Sequence, residues 1–220
     1  MLLSMNVIEL FSSIDGEGKR QGFLTTFLRL HDCNIRCSYC DTLYSYGPES
    51  TFESMSVQAV ADVIEQLENH RITVTGGEPL LQETAVIELI DELTRRNPGY
   101  DFNIETNGTI IPSFHRDNVW FTYDYKTPSS LAEEAMNLDI FKVATPADII
   151  KFVVGSMQDL DRMNEILKTY PTDAQIFVSP VWGNIEGATI VDYMKAHNWQ
   201  NVRFQLQIHK FIWDPDAKGV

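Results

Sequence analysis

Short apolar segments recur along the chain, and segments with helical periodicity separate several of them. The pattern predicts strands at residues 25–30, 71–75, 101–105, 120–125, 149–154, 175–179 and 202–208. Strands that alternate with helices are typical of βαβ crossovers, in which consecutive strands run parallel within one sheet. The chain is therefore predicted to form an α/β fold with a mostly parallel sheet.

Four segments between these strands carry apolar residues at the spacing of an α-helix. Ser56 is the predicted N-cap of the first helix, and Asn97-Pro98-Gly99 is predicted to end the second. The apolar positions of the four segments are Val57, Val60, Ala61, Ile64 and Leu67; Ile87, Ile90 and Leu93; Met163, Ile166 and Leu167; and Ile190, Val191 and Met194.

The number of strands limits how far the sheet can close. About six core strands are too few for a closed eight-stranded barrel, which usually takes ~250 residues. We therefore expect a partial, open TIM-like barrel, formed by one domain that spans residues 1–220.

Charge and the first residues exclude some classes of partner. The chain has 31 acidic and 17 basic residues, a net charge of −14, and a pI near 4.6. Such a surface repels phosphate backbones, so no direct binding of nucleic acid is expected. Residues 1–10 have neither a basic region nor an apolar stretch long enough for a signal peptide or a membrane span, so no membrane association is expected.

The most informative motif contains the only cysteines of the chain, Cys33, Cys37 and Cys40, spaced C-x3-C-x2-C. Three thiolates suit a [4Fe–4S] cluster with one iron left open to a small molecule. A disulfide would strand the third thiol, and a zinc site would need His31 as fourth ligand without the usual second pair of ligands. The open cluster is the favoured interpretation, and it fits the reducing cytoplasm.

Polar and glycine-rich loops follow the first four predicted strands. They are the cluster loop (residues 31–42), Gly76-Gly77-Glu78-Pro79, Thr106-Asn107-Gly108 and Lys126-Thr127-Pro128. The carboxyl ends of parallel strands meet at one edge of a sheet, where α/β proteins place their active sites. Any one of these loops is equally compatible with an ordinary turn, but together they predict one site.

The cysteine motif, Tyr39 before its last cysteine, and Gly76-Gly77-Glu78-Pro79 resemble the radical S-adenosylmethionine (SAM) superfamily. Further motifs resemble one family within it, the 7-carboxy-7-deazaguanine synthases. These motifs are Asp15-Gly16-Glu17-Gly18, Gly22, Arg29, Asp41-Thr42 and Gln205-Leu206-Gln207-Ile208-His209-Lys210. The resemblance runs from Ile14 to about Pro215.

The resemblance implies a lyase that converts 6-carboxy-5,6,7,8-tetrahydropterin into 7-carboxy-7-deazaguanine, a precursor of queuosine and related 7-deazapurines. SAM would bind the open iron, and its reductive cleavage would give a 5′-deoxyadenosyl radical. Hydrogen abstraction from the substrate, ring contraction and loss of ammonia would follow. The resemblance also implies Mg²⁺, a flavodoxin- or ferredoxin-type electron donor, and a homodimer.

The resemblance assigns residues to each ligand. Thr42 would bind Mg²⁺. The substrate would contact Ile14, Asp15, Gly16, Glu17, Arg29, Thr75, His209 and Pro215. SAM would contact Tyr39, Cys40, Asp41, Gly77, Glu78, Glu105, Asn107, Asp124, Tyr125, Lys126, Ser179, Pro180, Val181 and Trp182.

The chemistry of several of these residues also allows other roles. The Arg29 guanidinium suits a carboxylate, and a surface or strand-end salt bridge is the alternative. Glu78 could fix the turn before Pro79, and a lone histidine such as His209 is often structural. Capping or turn roles remain open for Thr42, Glu105 and Asn107, and a solvated surface role for Lys126.

Some positions depart from the family pattern. Asp15 replaces a glutamine, and Asp124 replaces a serine, that many members carry, and the tail (residues 209–220) continues past Pro215. Two other functions remain open. One is an activase that forms a glycyl radical on a partner enzyme, and the other is a non-catalytic metal or electron-transfer module.

Overall fold

The computed structural model describes residues 3–220, and nine strands form one sheet in the order β3-β1-β2-β4-β5-β6-β7-β8-β9. The strands are β1 (Ser4–Ile14), β2 (Leu24–Leu30), β3 (Glu53–Ser56), β4 (Arg71–Gly76), β5 (Asp101–Thr106), β6 (Val119–Tyr125), β7 (Ile149–Val154), β8 (Gln175–Pro180) and β9 (Val202–Phe204). The helices are α1 (Val57–Gln66), α2 (Glu83–Arg96), α3 (Ile140–Val143), α4 (Met157–Thr169), α5 (Gly187–Ala196) and α6 (His209–Ile212).

The sheet is mostly parallel and does not close. From β2 through β4 to β9, each strand pairs in parallel with the next. β1 is antiparallel to β2 and β3 is antiparallel to β1, so β3 and β9 are the two edges. The predicted α/β fold with an open, mostly parallel sheet is confirmed, and two antiparallel strands extend it on one side.

Those two antiparallel strands were not predicted from the sequence. The pairing of β1 with β2 shifts register between Val7 and Glu9. A bulge of this kind moves side chains to the opposite face and interrupts the alternation that marks a strand. Strand β3 has four residues and no fully buried side chain, so its apolar signal is weak.

The last predicted strand, 202–208, is too long, because β9 ends at Phe204. The backbone N–H of Gln205 still donates to the Val178 carbonyl at 2.9 Å. Its side chain, however, turns to the loop after β1, where it accepts from the Gly18 N–H at 2.7 Å and donates to the Gly18 carbonyl at 3.0 Å. These contacts lead the chain away from the sheet and across the site.

Helices α1 to α5 pack on one face of the sheet, whereas α6 belongs to the tail on the opposite side. Ser56 caps α1 as predicted, since its hydroxyl accepts from the Ala59 N–H at 3.2 Å. Helix α2 ends at Arg96, directly before Asn97-Pro98-Gly99, as predicted, and its buried residues are Ala85, Val86, Leu89, Ile90 and Leu93. Ile90 and Leu93 were predicted to be buried and are, whereas Ile87 is only partly buried. Among residues 3–220, no helix has both the length and the apolar character needed to cross a bilayer.

Alternation along the strands gives the sheet two different faces. In β7, Ile150, Phe152 and Val154 join the hydrophobic core under the helices, whereas Lys151 and Val153 face a cavity on the opposite side. The same alternation turns polar side chains into the interior of the open barrel. These are Thr73 and Thr75 of β4, Asn103 and Glu105 of β5, and Thr122 and Asp124 of β6.

Candidate active site

A cavity of about 270 Å³, the scale of a small-molecule site, opens at the carboxyl ends of the parallel strands. All four polar loops singled out in the sequence contribute to its wall: the cluster loop, Gly77 after β4, Asn107 after β5, and Lys126 after β6. The separate loops therefore lie together at one edge of the sheet, as the sequence predicted.

The three cysteines lie at this cavity as free, partly buried thiols. Burial raises the pKa of Cys33, and it raises the pKa of Cys37 to about 11. The cluster loop is anchored to the loop after β6, because the Ser38 N–H donates to the Ser130 carbonyl at 2.9 Å. Three unpaired thiols on one short loop are a suitable donor set for iron of an iron–sulfur cluster.

The zinc alternative loses its fourth ligand in this structure. The His31 ring packs against Phe52, with ring centroids 4.3 Å apart, and it is not part of the cavity wall. Within residues 3–220, no group of three or more His, Cys, Asp or Glu side chains is arranged to hold a single metal ion.

The glycines after β4 allow that loop to pack tightly against the cluster loop. A Cβ on Gly77 would lie 1.8 Å from the Asp32 carbonyl oxygen, and one on Gly76 would lie 2.2 Å from the Leu30 carbonyl oxygen. Gly76 also has φ +138°, which favours glycine. The backbone approach that requires Gly77 is therefore to the protein itself, although both glycines also line the cavity.

Glu78 lies behind the cavity wall and connects two of its loops. Its fully buried carboxylate accepts from the N–H of Leu80 at 2.9 Å, from the Asn107 N–H at 2.7 Å and from the Thr106 hydroxyl at 2.9 Å. Burial raises its pKa, although these donors oppose the shift. Glu78 thus fixes the turn, which was the alternative role allowed by the sequence.

Three further residues that the resemblance assigned to SAM do not line the cavity. Tyr125 and Ser179 are buried, and the Tyr125 hydroxyl donates to Glu133 at 2.9 Å. Pro180 lies at the end of β8, next to Val181 and Trp182, which do line the cavity. Tyr125 alternates with Asp124 along β6, so its side chain points to the helical side of the sheet.

One side of the cavity presents a guanidinium. The Arg29 Nε donates to Glu9 Oε1 at 2.6 Å, and the Tyr44 hydroxyl donates to the same oxygen at 2.8 Å. Burial opposes the charged form, but Tyr44 and Glu9 outweigh it and raise the pKa of Arg29. A salt bridge, the alternative that the sequence left open for Arg29, is therefore present, and Glu9 is the partner. Within the described chain, the terminal nitrogens of Arg29 donate no hydrogen bond.

The floor of the cavity is rich in carboxyl groups. Asp15 Oδ2 accepts from the Thr73 hydroxyl at 3.3 Å, and Glu105 Oε2 accepts from the Thr75 hydroxyl at 3.0 Å. Burial, with the nearby charge of Glu105, raises the pKa of Asp15 to about 7. Burial also raises the pKa of Glu105, against the opposing charge of Lys151. The floor can therefore hold a proton near neutral pH.

Two buried lysines balance these acids. Lys151 Nζ lies 2.6 Å from Glu17 Oε1 and 3.9 Å from Asp124 Oδ2. Lys126 Nζ lies 2.9 Å from Asp124 Oδ2. Although burial opposes the charged form of each lysine, Glu17 raises the pKa of Lys151 and Asp124 raises that of Lys126. Both remain cations in the neutral pH range.

The tail (residues 209–220) crosses the mouth of the cavity. Lys210 Nζ lies 3.2 Å from Asp41 Oδ2, and Lys218 Nζ lies 4.3 Å from the centre of the Tyr44 ring. The His209 ring occupies the space beside Gly16, where a Cβ would lie 1.9 Å from Nδ1. Burial lowers the pKa of His209, which favours the neutral imidazole. Pro215 and Val220 also line the cavity.

The structure brings most of the predicted site residues to this single cavity. Those that line it are Ile14, Asp15, Gly16, Glu17, Arg29, Cys33, Cys37, Tyr39, Cys40, Asp41, Thr42, Thr75, Gly77, Glu105, Asn107, Asp124, Lys126, Val181, Trp182, His209 and Pro215. Glu78, Tyr125, Ser179 and Pro180 do not.

Sequence reasoning missed several lining residues, chiefly Lys151, Tyr44, Lys210 and the stacked pair of Phe11 and Phe27, whose ring centroids are 5.2 Å apart. For Lys151 a signal was present. It is the one charged residue in the apolar run of β7, and a buried lysine requires a partner. Lys210 ends the C-terminal motif but was given no role, and no comparable signal marks Tyr44.

Known proteins similar to this chain agree with the geometry. The family model of the Radical SAM superfamily matches residues 29–152. A 7-carboxy-7-deazaguanine synthase of Clostridium acetobutylicum is 37% identical, covering 99% of this chain and 100% of the relative. One of Methanospirillum hungatei JF-1 is 38% identical, covering 96% of this chain and 86% of the relative.

A solved structure has the same fold. The crystal structure of QueE from Escherichia coli superposes with a TM-score of 0.70 at 22% identity, covering 92% of this chain and 93% of that one. Membership of the superfamily implies a [4Fe–4S] cluster and SAM, and the three free thiols at the cavity fit that cluster. Matches over nearly the whole of both sequences show that the chain belongs to the 7-carboxy-7-deazaguanine synthase family of the radical SAM superfamily.

Proposed function

We propose that this protein converts 6-carboxy-5,6,7,8-tetrahydropterin into 7-carboxy-7-deazaguanine, with loss of ammonia. The observation that carries the proposal is the whole-length similarity to the named synthases. The cavity supports it, because cysteine thiols, a guanidinium and a polar floor surround one space of small-molecule size. Neither alternative function has a specific observation in its favour.

Arg29 is the proposed anchor for the carboxylate of the substrate. Glu9, which also accepts from the Tyr44 hydroxyl, fixes the guanidinium through Nε and leaves its two terminal nitrogens for a ligand. A guanidinium with two parallel donors matches a carboxylate in geometry and in charge. The floor residues Asp15, Glu17 and Thr75 would contact the pterin ring, and His209 and Pro215 would cover it from the tail.

The cluster loop and the ends of β5 and β6 form the proposed cofactor side. Cys33, Cys37 and Cys40 would bind the cluster, and the Asn107 amide, whose Nδ2 lies 3.6 Å from Cys33 Sγ, would modulate that thiolate. The bound cluster and SAM would supply hydrogen-atom abstraction. Lys126 would offer the SAM carboxylate a charge, and the Tyr39 hydroxyl, which donates to the Val153 carbonyl at 3.3 Å, would hold the aromatic ring at the cavity.

Mg²⁺ is part of the proposal through the hydroxyl of Thr42. This hydroxyl lies 3.6 Å from Cys40 Sγ and lines the cavity between the cluster loop and the tail. Magnesium prefers oxygen and commonly combines a few protein groups with substrate and water. The protein would supply Thr42, and the substrate carboxylate and water would complete the coordination.

The remaining partners follow from the chemistry of the family. A flavodoxin- or ferredoxin-type protein would deliver the electron, and two copies of the chain would form a homodimer. Free thiols that hold an oxygen-sensitive cluster suit a reducing compartment such as the cytoplasm.

Anaerobic turnover tests the proposal. Reconstituted protein is given the pterin, SAM and dithionite, with and without Mg²⁺, and the product is identified by mass spectrometry. We expect 7-carboxy-7-deazaguanine and ammonia in equal amounts, with more product when Mg²⁺ is present. SAM cleavage without pterin conversion would overturn the proposed reaction, and no SAM cleavage at all would favour a non-catalytic module.

A further inference from the structure

We propose that Lys151 is a positioning residue, which holds the carboxylates of Glu17 and Asp124 so that each keeps one oxygen free for a ligand. The inference deepens the proposed function and rests on it. Lys151 belongs to none of the sequence motifs of the site. It projects from the middle of β7 into the cavity, with only 7% of its side chain exposed.

The two carboxylates come from opposite parts of the site. Glu17 follows β1, in the loop proposed to contact the substrate, and Asp124 lies at the end of β6, on the proposed cofactor side. Lys151 Nζ lies 2.6 Å from Glu17 Oε1 and 3.9 Å from Asp124 Oδ2. A single cation therefore lies between the groups that would bind the two ligands.

Each carboxylate has one oxygen without a partner. Glu17 Oε2 and Asp124 Oδ1 are buried and accept no hydrogen bond from the described chain. A buried acceptor without a donor is unfavourable, whereas a bound ligand with N–H or O–H groups would satisfy it. Both residues line the cavity that the ligands would occupy. The free oxygens thus point to neutral donor groups on the substrate and on SAM.

The ion pairs around the two carboxylates differ, and the difference predicts which ligand depends on Lys151. Asp124 has a second cation, Lys126, with its Nζ 2.9 Å from Oδ2. Glu17 has only Lys151 as a salt-bridge partner within residues 3–220. Loss of the Lys151 charge would leave Glu17 buried and unpaired, which is strongly unfavourable for a carboxylate. We therefore infer that Lys151 affects substrate binding more than SAM binding.

The experiment compares Lys151→Met with Lys151→Arg, and with Lys142→Met as the matched control. Lys142 is exposed and paired with Asp139 at 2.7 Å, so the control also removes one lysine and one ion pair. Calorimetry on the protein without turnover gives Kd for the pterin and for SAM. Turnover gives KM, kcat, and the ratio of 5′-deoxyadenosine to product. Melting temperatures establish that each variant is folded.

For Lys151→Met we expect the Kd and KM for the pterin to rise about 10- to 100-fold. The Kd for SAM should change less than about threefold, because Lys126 still balances Asp124. More 5′-deoxyadenosine should form per product, since a misplaced substrate fails to capture the radical. Lys151→Arg should recover part of the affinity, and Lys142→Met should match the wild type.

A combined variant separates positioning from a general effect on stability. If Lys151 acts through Glu17, Glu17→Gln should abolish most of the additional effect of Lys151→Met on the Kd for the pterin. Additive effects of the two substitutions would overturn the inference, as would a wild-type Kd and coupling ratio in folded Lys151→Met. Wild-type protein that binds the pterin but forms no product would contradict only the proposed reaction. Wild-type protein that does not bind it would overturn both.

Discussion

The two faces of the central strands have opposite compositions and opposite roles. On the helical side, Ile150 and Phe152 of β7 pack in an apolar core, where burial is favourable without any partner. On the cavity side, Lys151 of the same strand is buried only because Glu17 and Asp124 surround it. One face therefore stabilises the fold, and the charged side chains of the other face serve to bind ligands. Substitutions on the two faces should separate stability from activity.

The largest expected effect on activity comes from the cluster loop. Cys37→Ala should reduce product formation below detection and lower the iron content of reconstituted protein, because it removes one of three proposed thiolate ligands. The apo-protein should unfold with nearly the same free energy as the wild type, within about 1 kcal/mol, since the side chain is only partly buried. Iron analysis, turnover and denaturant titration measure these quantities.

Ser50→Ala, outside the cavity wall, is the control for this experiment and should retain iron and activity. Full activity of Cys37→Ala would contradict the proposed cluster.

The opposite separation is expected on the helical side. Phe152 is fully buried, with its ring centroid 4.9 Å from that of Tyr125. Phe152→Ala should lower the free energy of unfolding by about 3–5 kcal/mol, because it creates a cavity in the core. Activity per folded molecule, measured below the melting transition, should remain near that of the wild type.

The exposed Leu131 gives a matched apolar control. Its side chain is 82% exposed, so Leu131→Ala should change the free energy of unfolding by less than about 0.5 kcal/mol. If Phe152→Ala left stability intact but abolished turnover, the assignment of separate roles to the two faces would be wrong.

A buried carboxyl group on the cavity side should destabilise the fold at alkaline pH. Asp15 has a pKa of about 7 in the folded protein, against 3.8 as its ordinary value. Between these values the folded state binds the proton more strongly, so the contribution of Asp15 to the free energy of unfolding falls as pH rises from about 4 to about 7. Asp15→Asn should therefore be more stable than the wild type at pH 8, by up to about 4 kcal/mol.

The measurement is the difference in free energy of unfolding between Asp15→Asn and wild-type apo-protein at several pH values. That difference should shrink toward pH 4, where the wild-type carboxyl is protonated in the folded state. The exposed Asp173→Asn is the control, because it makes the same substitution at the surface. A difference that is the same at pH 5 and pH 8 would contradict the raised pKa.

Local sequence patterns predicted the helical side of the sheet better than the cavity side. The strand positions and the Ser56 cap follow from periodicity and from local hydrogen bonds, so they can be predicted from neighbouring residues in the sequence. The partners of Arg29 and Lys151 cannot be predicted in this way. Glu9 lies on a strand whose bulge hides its alternation, and Glu17 reaches Lys151 across 134 positions of sequence.

The motifs identified the loops at the cavity but not the direction of each side chain. Gly77 is glycine because of the Asp32 carbonyl, and Glu78 is occupied by the N–H groups of its neighbours. Both contacts depend on how the loop after β4 packs against the cluster loop. Spacing along one chain cannot show such packing, because it arises only when the parallel strands bring their ends together.

The smallest of the expected effects concerns geometry at constant charge. Arg29→Lys keeps a cation at the cavity but removes the planar guanidinium. In the wild type that group donates to Glu9 through Nε and leaves its two terminal nitrogens for a ligand. A lysine can satisfy Glu9 or the substrate carboxylate, but not both in this arrangement. We therefore expect the KM for the pterin to rise about 10-fold, while kcat at saturation changes little. The exposed Arg95→Lys, on α2, is the matched control and should leave KM unchanged. An unchanged KM in Arg29→Lys would show that charge alone suffices at this position, whereas a loss of kcat without any change in KM would place Arg29 away from the substrate carboxylate.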